Sequence, residues 1–142
     1  MGANVFSGRH FTSSVMEHLT KILFVASGGA IGAVARYLVN ISPLSRLFEN
    51  FPFPTFFINV SGSFLIGLLL IVLTDRIAVN DNLRMMVIVG FLGAYTTFST
   101  FEAETYGLLT DRLYAVSAAY VLLSVGAGFA AFLAGVWLGR NM

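Results

Sequence analysis

Four long apolar stretches restrict what this chain can fold into. They run roughly over Ile22–Ile41, Thr55–Leu73, Met85–Leu109 and Leu113–Leu138. A hydrocarbon core of about 30 Å is crossed by about 20 apolar residues in a helix, so each stretch is long enough to span a membrane. The chain is 57% hydrophobic and only 11% charged, whereas a soluble domain carries about 25% charged residues. The sequence predicts an all-α integral membrane protein with four transmembrane helices.

The segments between the spans are short. Pro43, Pro52 and Pro54 lie between the first two spans, where proline ends one helix and begins the next. The second and third connections carry charged residues, namely Asp75, Arg76, Asp81, Arg84, Asp111 and Arg112. We therefore expect a single four-helix domain over residues 21–142 and no separate catalytic domain. Residues 1–20 form a polar N-terminal extension, either mobile or lying on the membrane surface as a weakly amphipathic helix.

The composition excludes several classes of function. The chain has no Cys, so it has no disulfide and no thiolate metal site. A net charge of +1 without a basic run gives no support for a nucleic-acid partner. No nucleotide motif or nucleophile–base pair is present, and we expect no enzymatic activity. Basic residues give a weak orientation bias, with Lys21, Arg76, Arg84 and Arg140 on one side of the membrane and Arg46 and Arg112 on the other. Such a weak bias is compatible with insertion in both orientations.

Polar residues within the spans are the candidate functional residues, because hydrocarbon makes an unsatisfied polar group costly. Asn59 offers neutral N–H donors that suit a dehydrated anion, although helix–helix hydrogen bonding is the alternative. Arg36 in the first span is either a cation that attracts anions at a vestibule or an interfacial anchor. Tyr120 and Ser124 are one turn apart, and Gly128 follows. This stripe predicts either a track of hydroxyl donors or a close helix contact.

The string GFLGAYTTFSTF, from Gly90 to Phe101, predicts a break in the third helix at mid-membrane. A break frees backbone carbonyls, which then bind a neighbouring chain, water or a cation. Phe98 and Phe101 are three residues apart and share a helix face, where electropositive ring edges can line an anion path or simply pack. Glu102 and Glu104 lie just beyond the break and are expected to cap, to orient hydroxyl groups or to tune a vestibule.

Three strings resemble the Fluc (CrcB) family of small fluoride channels. They are GGAIGAVARY at residues 28–37, INVSGSFLIG at 58–67 and GFLGAYTTFSTFEAE at 90–104, and the third is highly specific. The resemblance covers the hydrophobic part of the chain from Lys21 onward. It implies an antiparallel, dual-topology homodimer with two fluoride pores along the subunit interface. It also implies passive fluoride efflux across the plasma membrane of a prokaryote, which protects the cell from fluoride.

The resemblance also assigns roles to individual residues. The implied fluoride pore consists of Asn59, Phe98, Ser99, Thr100, Phe101, Tyr120 and Ser124. Arg36 and Glu104 have vestibule or structural roles, and the backbone carbonyls of Gly93 and Thr96 hold a structural sodium ion at the dimer centre. Gly128 stands where the family often has Ser, and residues 1–20 have no family counterpart.

Two other functions are compatible with four apolar spans. A proton-coupled exporter of lipophilic cations needs a buried acid at the centre of the first span, where this chain has only Gly, Ala and Arg36. A non-transporting membrane subunit would use its glycines only to bind a larger complex. Both leave the Gly90–Phe101 string unexplained.

Overall fold

A computed structural model of the protein describes residues 5–48, 50–77 and 79–142, and these residues are almost entirely helical. The α-helices are α1 (Val5–Asn40), α2 (Phe53–Ile71), α3 (Asp81–Met85), α4 (Gly93–Tyr95), α5 (Phe98–Thr110) and α6 (Tyr114–Asn141). π-Helical turns extend α2 over Val72–Arg76 and join α3 to α4 over Met86–Leu92. Four segments are long and apolar enough to cross a membrane: Ser14–Asn40, Phe53–Asp75, Asp81–Thr110 and Tyr114–Asn141. The predicted four-span architecture is confirmed.

The first helix is longer than the first predicted span. It runs unbroken for 36 residues, about 54 Å at roughly 1.5 Å per residue, which exceeds the thickness of a bilayer core. Residues 5–20 are therefore helical and continuous with the span, so the structure does not separate them as a mobile segment. An ion pair of 2.7 Å between Lys21 and Glu17 links successive turns there. The domain boundary at residue 20 stays a prediction.

Glycines allow the helices to approach closely in two places. On α1, a Cβ atom added at Gly28 or Gly32 would overlap the carbonyl oxygen of Met86 or of Phe91, respectively. At the second place, where α6 crosses α2, Gly135 lies against the Phe64 carbonyl oxygen. Two pairs of glycines with four-residue spacing, Gly28–Gly32 and Gly135–Gly139, thus lie at helix crossings.

The third span changes packing partner along its length. Its first half, α3 to α4, packs against α1, whereas α5 packs against α6 and α2. The helix is interrupted at Thr96 and Thr97, where the change of partner occurs. α2 and α6 pack against each other along their length, and α2 also contacts both halves of the third span. The interruption therefore lies beside α2, and this arrangement positions the candidate site.

Candidate functional site

The helix break predicted in the third span is present at residues 96–97. Thr96 has ψ 158° and Thr97 has φ −152° and ψ 120°, so both adopt extended conformations between α4 and α5. Thr97 caps α5, because its hydroxyl oxygen accepts from the Thr100 N–H at 3.2 Å. The same hydroxyl donates to the Thr100 hydroxyl oxygen at 2.9 Å. The two helix segments are thus ended and restarted by side chains from the predicted Thr-rich string.

The two carbonyl groups predicted as cation ligands, those of Gly93 and Thr96, lose their usual helical partners at this break. In a continuous α-helix the Thr97 N–H would bond to the Gly93 carbonyl, and the Thr100 N–H to the Thr96 carbonyl. Here the first N–H donates to Asn59 and the second to the Thr97 hydroxyl. Gly93 is exposed, and a Cβ added to it would have no neighbour within 4 Å. The two carbonyls predicted as cation ligands are therefore released from the helix.

Asn59 on α2 is bonded to the break through both atoms of its amide. Its Oδ1 accepts from the Thr97 N–H at 2.9 Å, and its Nδ2 donates to the Thr97 carbonyl oxygen, also at 2.9 Å. An amide has two N–H donors, so one remains after these bonds. Two residues further along α2, the Ser61 hydroxyl pairs with the Tyr95 hydroxyl at 3.0 Å. α2 therefore holds the chain on both sides of the break.

A groove of about 350 Å³ lies next to the break and brings together six of the predicted site residues. These are Asn59, Gly93, Thr96, Phe98, Phe101 and Ser124, and further lining comes from Gly62, Ser63, Ile66, Ile88, Leu92, Thr97 and Val125. Predicted residues outside the lining are Arg36, Ser99, Thr100, Glu104 and Tyr120. Residues from α2, from both sides of the break and from α6 therefore meet at one surface.

The two aromatic residues of the groove differ in exposure. The rings of Phe98 and Phe101 share a face, as predicted, with centroids 5.8 Å apart. Phe101 is only 9% exposed and packs on Tyr120, whereas Phe98 is 71% exposed. Phe98 thus presents a large aromatic surface at the open side of the groove, near the middle of a membrane span.

Glu104 accepts hydrogen bonds from two hydroxyl groups in the interior. Its Oε1 accepts from Thr55 at 2.8 Å and its Oε2 from Tyr120 at 2.7 Å. Tyr120 is fully buried, and its hydroxyl points to Glu104. The predicted role of Glu104 in orienting hydroxyls fits this geometry, while a pore role for Tyr120 stays a prediction. Sequence reasoning missed Thr55, although it lies one helical turn before Asn59 and so shares its face.

Ser124 is the hydroxyl residue that α6 contributes to the groove lining. Its Oγ is buried and has no hydrogen-bond partner among the described residues. One turn further along α6, a Cβ added at Gly128 would lie 3.6 Å from the Ser63 hydroxyl oxygen, an ordinary contact distance. The place where the resembling family often has a Ser hydroxyl therefore lies beside a hydroxyl from α2. Ser63 follows Asn59 at a four-residue step, which is the signal that finds it in the sequence.

Arg36 lies apart from the groove lining and is partly buried near the end of α1. Within the described part of the chain it forms no hydrogen bond or ion pair. The side chains of Arg46 and Arg76, which entered the orientation prediction, lie outside the described residues. Arg36 is thus available as a vestibule cation or as an interfacial anchor, and its role stays a prediction.

Comparison with known proteins identifies relatives over most of the chain. Residues 23–136 match the family described as "CrcB-like protein, Camphor Resistance (CrcB)". A curated relative from Solibacter usitatus, named "Fluoride-specific ion channel FluC", is 44% identical over 121 residues, or 85% of this chain and 99% of the relative. Relatives of the same name come from Agrobacterium fabrum, at 40% identity over 87% of this chain and 99% of the relative, and from Roseiflexus, at 42% over 85% and 94%.

Proposed function

This chain belongs to the CrcB-like family, and on that premise we propose that it is a fluoride-selective channel that mediates passive fluoride efflux. The observation that carries the proposal is the groove at the break, where neutral donors and aromatic ring edges meet inside a membrane span. The relatives named as fluoride channels are bacterial, and this chain is likewise a multi-pass membrane protein of a prokaryote. It is a channel and not an enzyme, and fluoride efflux protects the cell.

The chemistry of the groove suits a small anion that must lose water without becoming trapped. Fluoride is strongly hydrated, so several close donors have to replace its water. Among the described residues, the second Asn59 amide N–H and the Ser124 hydroxyl have no hydrogen-bond partner, and the Phe98 and Phe101 rings offer electropositive edges. No Lys or Arg of the described part of the chain lines the groove. Neutral groups therefore carry the selectivity, and the ion can leave as readily as it enters.

We propose further that two copies of the chain form an antiparallel, dual-topology homodimer with two pores along the interface. Gly93, Phe98 and Ser99 are exposed in the third span, beside two released carbonyl groups. In hydrocarbon each uncovered backbone polar group costs several kcal/mol. A second copy supplies the missing wall of the groove, and insertion in both orientations agrees with the weak charge bias of the sequence.

The donor atoms at the break fit the structural sodium ion that the family resemblance implies. The carbonyl oxygens of Gly93 and Thr96 are neutral, hard ligands of the type that hard cations such as sodium prefer. One chain offers two such oxygens, so a site between two chains has four. We propose that these four carbonyls hold the sodium ion, which would offset the dipoles exposed at the break.

Fluoride efflux from liposomes tests the proposed function. Purified protein is reconstituted into vesicles loaded with fluoride or chloride, and release is followed with an ion-selective electrode. We expect fast fluoride release with little chloride release, and a loss of fluoride release in Phe98→Ile. Phe129→Ile is the matched control, because Phe129 is 64% exposed on α6 and lies outside the groove lining.

The efflux result also separates this function from the two alternatives. Absence of fluoride release from folded wild-type protein would remove the channel function and favour a membrane subunit. The cation exporter has little support, since the described first span contains a single acid, Glu17, which is ion-paired near the N-terminal end.

A further inference from the structure

The Asn59 amide replaces a backbone partner at the break. Its two hydrogen bonds to Thr97, both 2.9 Å, satisfy the N–H and the C=O of one extended residue, as a neighbouring β-strand would. Asn59 lies one helical turn from Thr55, which bonds to Glu104 beyond the break. Gly62, on the same helix, is close enough to Thr96 that an added Cβ would overlap its methyl group. α2 is therefore fixed against the interrupted segment, and the amide is held in place.

The hydrogen bond from the Thr97 N–H to the Asn59 oxygen determines whether the Gly93 carbonyl is free to bind a cation. Without the Asn59 oxygen, the buried Thr97 N–H needs another acceptor, because an unsatisfied donor in this environment costs several kcal/mol. The acceptor four residues earlier in the chain is the Gly93 carbonyl oxygen, which is the α-helical partner. Thr97 is only 8% exposed, so water is a poor substitute. Loss of the amide thus favours continuation of the α4 helix to Thr97, and the new hydrogen bond competes with a cation for the Gly93 oxygen.

We infer that Asn59 is a positioning residue for the cation site, because its amide oxygen keeps the Thr97 N–H away from the Gly93 carbonyl. This inference rests on the sodium site of the proposed function. Asn59 also lines the groove, so one side chain joins the proposed anion path to the cation site. The amide acts on the sodium ligand through the backbone, without contact to the ion.

Thermal unfolding in sodium tests this role without measuring fluoride transport. The midpoint of unfolding of the purified dimer is measured while sodium chloride replaces N-methyl-D-glucamine chloride at constant ionic strength. The quantity compared is the sodium concentration that gives half of the maximal stabilisation. Variants are Asn59→Leu, which keeps the size but removes both hydrogen bonds, and Asn59→Asp, which keeps the acceptor for the Thr97 N–H. Ser124→Ala is the matched control, since it changes the same groove without touching the break.

We expect Asn59→Leu to raise the required sodium concentration at least about tenfold, the change that corresponds to about 1.4 kcal/mol. Asn59→Asp retains the sodium response although its charge abolishes fluoride efflux, and Ser124→Ala retains it within about threefold, well below that tenfold step. An unchanged response in Asn59→Leu, or a lost response in Asn59→Asp, overturns the inference. If Asn59→Leu does not fold, the Asn59→Asp result alone decides. A wild-type protein whose unfolding midpoint does not respond to sodium overturns both the sodium site and this role of Asn59. The fluoride efflux assay tests the channel function separately.

Discussion

Hydroxyl groups near the break have two different environments. The Thr55 and Tyr120 hydroxyls donate to the Glu104 carboxylate, whereas the buried Ser124 hydroxyl has no partner among the described residues. In the sequence, Tyr120 and Ser124 belong to one stripe with one chemistry. In the structure, Tyr120 is buried in the interior and Ser124 lies at the groove surface. The stripe did not reveal the Thr55–Glu104–Tyr120 contacts, which we expect to stabilise the fold.

Removal of the Tyr120 hydroxyl is expected to destabilise the fold. Tyr120→Phe leaves Oε2 of Glu104 without its donor, which costs about 1–3 kcal/mol for a buried acceptor and more if the group is charged. The unfolding midpoint of the purified protein in detergent measures this loss. Tyr106→Phe on α5 is the control, because Tyr106 is 69% exposed and should tolerate the change. Equal midpoints for the two variants would mean that the hydroxyl of Tyr120 contributes nothing to stability.

The sequence was informative about residue types and less so about their partners. Asn59, Phe98 and Ser124 were expected at an anion path, and all three line the groove. The pair of hydrogen bonds between Asn59 and Thr97 joins residues 38 positions apart, so no local spacing predicts it. Which donor on α2 meets the break depends on how the helices pack, and that is set by many weak contacts at once. The register in which α2 packs against the third span therefore cannot be predicted from the sequence of either helix alone.

At the level of elements, the break marks the point where the third span changes partner. Before it, glycines of α1 allow backbone contact with the π-helical turn; after it, α5 lies against α6. A π-helical turn widens the helix and often occurs at functional sites. The sequence predicted the four spans and the break, because apolar length and the Thr-rich string are local signals. It did not predict the π-helical turns, which have no comparable local signal.

The close contact between α1 and the third span gives an element-level prediction. In Gly32→Ala, the new methyl group meets the Phe91 backbone, which cannot move as a side chain can. We expect a lower unfolding midpoint and a smaller yield of monodisperse protein. Gly126→Ala is the matched control, since Gly126 is helical with no atom within 4 Å of an added Cβ. There the helix propensity of Ala favours folding by roughly 1 kcal/mol, and a Gly32→Ala protein as stable as Gly126→Ala would contradict the packing described above.

On the scale of the whole molecule, a single chain forms only part of the proposed path. The groove is open on the side where Phe98 is exposed, and each chain contributes two carbonyls to the proposed cation site. Both features are explained by a second copy with the opposite orientation. The proposed dimer therefore makes the orientation of the chain in the membrane a functional property.

Single-cysteine labelling measures that orientation directly, because the chain has no native Cys. Asp111→Cys and Asp81→Cys place exposed thiols at opposite ends of the third span. For a dual-topology protein, a membrane-impermeant maleimide added outside intact cells should label about half of each variant, as the weak charge bias predicts. Permeabilised cells give the total, and the cysteine-free wild type gives the background. Labelling of only one of the two variants would show a single orientation and would contradict an antiparallel dimer.

The interruption of the third span has a consequence for how the chain enters the membrane during synthesis. The insertion machinery releases a segment into lipid according to its apolarity, and the third span is the least hydrophobic of the four. The threonines and serine that end and restart its helix weaken this signal together with the acids Glu102 and Glu104. We expect the nascent third span to remain beside the translocon until α1 and α2 can receive it. Insertion of the third span is then completed by its packing against α1 and α2. Substitutions of the α1 glycines Gly28 and Gly32 would therefore first reduce the amount of protein inserted in the membrane.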